Sequence, residues 1–187
     1  MFLRRLLAFC AIAAFAACAS HASAPLHGMQ FAPPEPAKNF ALTDQNGKTF
    51  SLAQSRGQAI ALYFGFTHCA DICPQTLALL GKARARAGLT PAQVRIVMVT
   101  VDPRRDSPAA LRAFFKKIGV DATGLTGTPA ALEAVYRAYG IGVEPQKNDI
   151  AHTDVIFLLD PQGRIRETLA PQSSLKDVAA DLRAVVD

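Results

Sequence analysis

Two cysteines and one distant histidine carry the chemistry open to this sequence. Cys69 and Cys73 stand four apart in Phe66-Thr67-His68-Cys69-Ala70-Asp71-Ile72-Cys73-Pro74, where an apolar run over 60–66 gives way to a helix-like segment. His152 lies far downstream, beside a second apolar, strand-like run. Two thiolates and one imidazole form a soft donor set that suits Cu(I). Structural zinc is usually closed by four ligands, one more than is offered here. At a helix N-terminus, unsatisfied N–H groups and the helix dipole favour a thiolate. The spacing also permits a disulfide, and only the reduced pair can ligate, so metal binding and redox cycling are linked.

Plainer readings are weaker. Thiol reductases of the Cys-x-x-Cys type have two intervening residues, and this pair has three. Peroxiredoxins place a Thr three residues before the reactive Cys, where Phe66 and Ala70 stand here. Inert core thiols do not suit a strand-to-helix junction, whereas a lone histidine would be weak evidence without the cysteines. His68, next to Cys69, reads as a tuning or orienting residue rather than a ligand. Asp71 reads as a solvated turn residue, and Asp102 and Asp106 as shaping a loop and a helix start. His21 and His27 lie in a linker-like stretch.

The elements that must position these residues are legible in the pattern. Residues 59–66, with Tyr63 and Phe64, predict a buried strand, and 94–101 predict a second one ending at Asp102-Pro103. Pro74 suits the first turn of a helix whose apolar face includes Leu77 and Leu80. Ser107-Pro108 opens another helix, with Leu111, Phe114, Phe115 and Ile118 as its core stripe. Thr128-Pro129 repeats the signal, with Leu132, Val135, Tyr136 and Tyr139 inward. Ser174 and Asp177 cap a last helix carrying Leu175, Val178, Leu182 and Val185. Asn46-Gly47 marks an early hairpin, and the turn at 160–163 marks a late one. Residues 142–151 read as irregular. Strands alternating with helices predict an α/β fold, its central mixed sheet flanked by helices.

The chain has 187 residues and is 50% hydrophobic, enough for one ordinary domain. Its net charge of +5 is modest and scattered, without the basic, aromatic-studded stripe of a nucleic-acid reader. Residues 1–24 read as an export segment: Arg4 and Arg5, an uncharged apolar run over 6–19, then small residues. Three outcomes fit. One is cleavage after Ala22 or Ala24. Another is lipidation at Cys18, since Phe15-Ala16-Ala17-Cys18 resembles a bacterial lipoprotein box. The third is an uncleaved short anchor. All three place the domain outside the cytoplasm, where a dithiol can be oxidised. Residues 25–38, rich in Pro and Ala, read as a tether, and 39–187 as the globular domain. Cys10 and Cys18 fall in the export segment, so Cys69 and Cys73 are the only cysteines of that domain.

From about Phe40 to the C-terminus the chain resembles the Sco/SenC family of copper-binding, thioredoxin-like proteins. Three stretches carry the resemblance in order: 66–74 with its Cys-x-x-x-Cys-Pro, Val101-Asp102-Pro103 through Pro108, and His152-Thr153 leading into 155–163. The resemblance implies a thioredoxin-like fold with an N-terminal β-hairpin and an inserted hairpin near the C-terminus. It implies copper held by Cys69, Cys73 and His152. It further implies a role in assembling the dinuclear copper site of cytochrome c oxidase subunit II, with another periplasmic copper chaperone as a possible donor. Two residues depart from the family pattern: Ala70 stands where Pro is frequent, and Ala151 where an Asp often precedes the histidine. The second removes a carboxylate that would help hold Cu(II). Three functions remain open: a metallochaperone on the periplasmic face of the membrane, a thiol–disulfide reductase with Cys69 attacking and Cys73 resolving, and a redox or copper sensor.

Overall fold

The computed structural model describes residues 26–147 and 149–186. The export segment, with Cys10 and Cys18, lies outside them. Among the described residues no helix is long and apolar enough to cross a membrane.

The core is a parallel trio of strands that steps across the sheet in chain order. Strand β4 (Ala59–Gly65) pairs with β5 (Val94–Thr100), and β5 with β6 (Thr123–Thr126), all parallel. Helix α1 (Ile72–Arg86) links the first pair and α2 (Pro108–Ile118) the second. Both crossovers step in the same direction, so their right-handedness puts α1 and α2 on one face. Helix α4 (Leu175–Val186) packs beside α1. Strand residues alternate between faces. On β4, Tyr63 points toward Cys73 of α1, while Phe64 meets Tyr136 and Tyr139 of α3 (Pro129–Tyr139) on the other side.

Antiparallel strands complete an eight-stranded sheet in the order β1-β10-β9-β4-β5-β6-β2-β3. The early hairpin is β2 (Ala41–Asp44) with β3 (Thr49–Ser51), and the late one is β9 (Ile156–Leu159) with β10 (Arg164–Leu169). The helix starts behave as their sequences predict. Ser107 Oγ accepts from Ala110 N at 3.2 Å, Thr128 Oγ1 from Ala131 N at 3.3 Å and Ser174 Oγ from Asp177 N at 3.1 Å.

Three elements differ from expectation. Met29–Pro36, inside the stretch read as a tether, is the edge strand β1, antiparallel to β10 with a bulge between Gln30 and Glu35. Its prolines are tolerated because an edge strand has one row of N–H groups to spare. Strand β6 was not anticipated. Its Gly124 is required by packing, since a Cβ there would stand 2.5 Å from the Phe115 ring. The stretch read as irregular holds a two-stranded hairpin, β7 (Val143–Pro145) with β8 (Ile150–His152), separate from the main sheet.

Candidate metal centre

Strand β4 stops at Gly65 and α1 begins at Ile72, so the cysteine loop is the short junction between them. Cys73 is the second residue of α1 and has no exposed surface; Cys69 precedes the helix and is half-buried. Both thiols are free. The Cys73 amide, one of the orphan N–H groups of the first turn, donates to Cys69 Sγ at 3.3 Å. The helix end therefore serves Cys69. Burial pushes the Cys73 thiol up to about 12, with the adjacent Cys69 sulfur adding to the rise. The helix N-terminus thus reaches Cys69 through one donated hydrogen bond, while burial works against the thiolate expected at Cys73.

Buried Asp106 locks the loop. It accepts from Thr67 Oγ1 and Thr100 Oγ1, each at 2.6 Å, and from Thr67 N at 3.1 Å. Burial raises its pKa, and those hydrogen bonds oppose the rise. Ligand atoms of His68, Asp102 and Asp106 lie within 4.8 Å of one another. These groups are already engaged: Asp106 by the threonines, Asp102 by Arg105 Nε, and His68 Nδ1 by Thr67 Oγ1 at 3.0 Å. We read them as a brace for the loop, in line with the role the sequence suggested for both aspartates.

His152 ends β8 and is half-buried. Its Nδ1 lies 3.0 Å from the Thr153 carbonyl oxygen. A carbonyl only accepts, so Nδ1 carries the hydrogen, and in the neutral ring Nε2 is the nitrogen whose lone pair is left for a metal. One contact brings His152 itself to the cysteine loop. Its ring meets Phe66 edge-on at 6.1 Å between centroids, and Arg105 stands 5.8 Å from the same Phe66 ring. Two residues on, Asp154 Oδ1 accepts from the Tyr63 hydroxyl at 2.9 Å, and that hydroxyl is 3.6 Å from Cys73 Sγ. Desolvation keeps the Tyr63 hydroxyl protonated. The donor atoms of Cys69, Cys73 and His152 do not all lie within 4.8 Å of one another. Binding one ion by all three therefore requires side-chain or hairpin adjustment.

Tyr63 and Asp154 escaped the sequence reading. A tyrosine in an otherwise aliphatic and Phe-bearing run was the available signal, because a buried hydroxyl needs a partner. Asp154 supplies a carboxylate on the far side of His152 from Ala151. Beside the centre, a groove of about 440 Å³ runs from Asp102, Arg104 and Arg105 to Lys147 and Ile150 on the His152 hairpin. Ile72, next to Cys73, is 43% exposed.

A pair of free thiols at the strand-to-helix junction of a mixed, helix-covered sheet defines a thioredoxin-like protein, here with a histidine hairpin added. The family model described as SCO1/SenC matches residues 30–187, and the chain belongs to that family. It is 34% identical over 155 residues to the mitochondrial SCO2 homolog of Bos taurus, covering 78% of this chain and 58% of that protein. The chain thus spans little more than half the length of that relative. Among solved structures it is similar to Bradyrhizobium japonicum ScoI with copper bound (31% identity, TM-score 0.71, 80% of this chain and 99% of that one). It is also similar to apo Sco1 of Thermus thermophilus (29%, TM-score 0.75, 87% and 98%).

Proposed function

We propose that this protein is a copper metallochaperone that carries its cargo on Cys69, Cys73 and His152. On this reading it serves assembly of the dinuclear copper site of cytochrome c oxidase subunit II. One observation carries the reading. Two free thiols share a helix N-terminus, and an imidazole presenting Nε2 stands against the same loop. Relatives supported by the same fold bind copper, as the ScoI structure states. A soft set of two sulfurs and one nitrogen suits Cu(I), and the half-buried Cys69 leaves one ligand within reach of an acceptor's thiolate. Transfer then proceeds by ligand exchange: an incoming thiolate binds the copper as Cys69 lets go, and Cys73 and His152 follow. Export to the periplasmic face of the membrane, by a cleaved, lipidated or anchored N-terminus, belongs to the same reading, as does an upstream copper chaperone as donor.

The asymmetry of the two thiols favours a second reading, a thiol–disulfide reductase. Cys69, with a helix N–H on its sulfur, attacks a disulfide of the target and releases one target thiolate. Cys73 then gives up its proton, attacks Cys69 and releases the second. The two readings part at His152. Cu(I) competition against a chelating probe on the full-length chain should give one tightly held copper, lost in Cys69→Ala and Cys73→Ala and weakened about tenfold or more in His152→Ala. Binding indifferent to His152→Ala would sink the metallochaperone site and favour the reductase.

A further inference from the structure

Tyr63 lies in neither of the two segments that hold the proposed ligands, yet it touches both. Its side chain in β4 has no exposed surface. Its hydroxyl joins Asp154 Oδ1 at 2.9 Å and Cys73 Sγ at 3.6 Å. Asp154 follows His152 by two residues, on the stretch leading from β8 into β9. Cys73 is the buried sulfur at the start of α1. One hydroxyl therefore spans the cysteine and histidine segments.

The arrangement is prepared by its surroundings. A Cβ on Gly65 would stand 2.7 Å from the Tyr63 ring and 3.1 Å from Cys73 Sγ, so only glycine keeps the path between them open. Tyr63 pairs with Ile156 across β4 and β9, which sets it level with the stretch that holds Asp154. The hairpin itself is separate from the main sheet and is tied at its base by Thr153 N to Gly142 O and Gly142 N to Thr153 Oγ1, each at 3.0 Å. Among the described residues, Tyr63 to Asp154 is the one hydrogen bond that joins residues 143–155 to the cysteine side of the sheet. A phenylalanine would fill the same space, but only the hydroxyl oxygen makes these two contacts.

We propose that Tyr63, anchored by Asp154, is a positioning residue of the copper centre: its hydroxyl fixes how the His152 hairpin stands relative to Cys73. The inference rests on the three-residue site proposed above. Losing the hydroxyl leaves both cysteines in place and the hairpin folded, but frees the imidazole to drift from the point the two sulfurs define. Tyr63 thus acts on copper through His152.

The test is Cu(I) competition on the full-length chain in four forms: wild type, Tyr63→Phe, His152→Ala and the double variant. Tyr63→Phe should weaken binding roughly tenfold, the size of a change one layer behind the ligands. With His152 already Ala, the same change should cost less than about twofold, because coupled residues are not additive. The EPR spectrum of the Cu(II)-loaded protein gives a second readout. Imidazole-nitrogen coupling, present in the wild type, should weaken in Tyr63→Phe, whereas a role confined to fold stability would leave it unchanged. Asp154→Ala should reproduce both effects, and it stands in should Tyr63→Phe fail to fold. Binding that needs His152 yet ignores Tyr63→Phe, or a loss of equal size with and without His152, overturns the positioning role and leaves the three-residue site standing. Binding indifferent to His152→Ala overturns that site and the positioning role with it.

Discussion

Two buried acidic clusters in this protein handle their charge in opposite ways. Asp106, beneath the cysteine loop, has a hydroxyl or amide donor for each oxygen. Glu167 of β10 and Asp181 of α4 are equally buried, but they face each other. Gly28 N donates to Glu167 Oε2 at 2.8 Å, and His27 Nδ1 meets Asp181 Oδ1 at 2.6 Å. Among the described residues, Glu167 Oε1 and Asp181 Oδ2 have no donor. Burial first, then the charge of Asp181, pushes Glu167 up to about 7. A buried acid surrounded by donors can hold a fixed shape, whereas one facing another acid gains or loses a proton near neutrality. The first arrangement lies under the candidate metal centre. The second clasps the chain where it enters β1.

The largest expected effect breaks the first cluster. Asp106→Ala leaves the buried Thr100 hydroxyl, the half-buried Thr67 hydroxyl and the Thr67 amide without their acceptor. It should cost about 3 kcal/mol in urea unfolding at pH 7 and loosen the cysteine loop. A loss below about 1 kcal/mol would mean that the two clusters are equally dispensable.

Glu167→Gln should act in the other direction. Between the ordinary 4.5 and about 7, folded Glu167 keeps a proton that the unfolded chain releases. Its contribution to stability is therefore present at low pH and is lost as pH rises through 7, with a slope of at most about 1.4 kcal/mol per pH unit for one proton. Glutamine removes that slope, so the variant should match or exceed the wild type at pH 8 and lose the advantage toward pH 5. Urea midpoints across that range check it, and an unchanged slope in the variant would place the proton elsewhere.

His27→Ala is the smallest change. The bond to Asp181 raises the His27 pKa above the ordinary 6.5, so its stabilisation is present below that value and fades as pH rises through the folded pKa. The variant should exchange the Gly28 amide faster at pH 6 and differ little from the wild type at pH 8.5. Equal differences at both pH values would show that the ring acts by packing alone.

How far these features could be read ahead depends on the distance over which they are encoded. The helix starts at Ser107, Thr128 and Ser174 each lie within a four-residue window, and each formed as its residues dictate. The cysteine pair was visible because its spacing and its junction are local. Strand β1 was hidden by Pro33, Pro34 and Pro36, which read as a tether until β10 supplies the partner for an edge. Strand β6, four residues with a glycine inside, has no periodicity to detect, and it is a strand because β5 and β2 lie on either side. Tyr63 with Asp154, and His27 with Asp181, join residues 91 and 154 positions apart. No local pattern specifies such pairs; the fold brings them together.

The hydrogen bond from the Cys73 amide to Cys69 Sγ makes that amide a built-in reporter. Whatever happens to the sulfur, whether it loses a proton, bonds a second sulfur or gives electrons to a metal, changes the charge that this one N–H faces. A single cross-peak in an amide NMR spectrum therefore follows the state of the outer cysteine, with no label on the sulfur and no probe in the solvent.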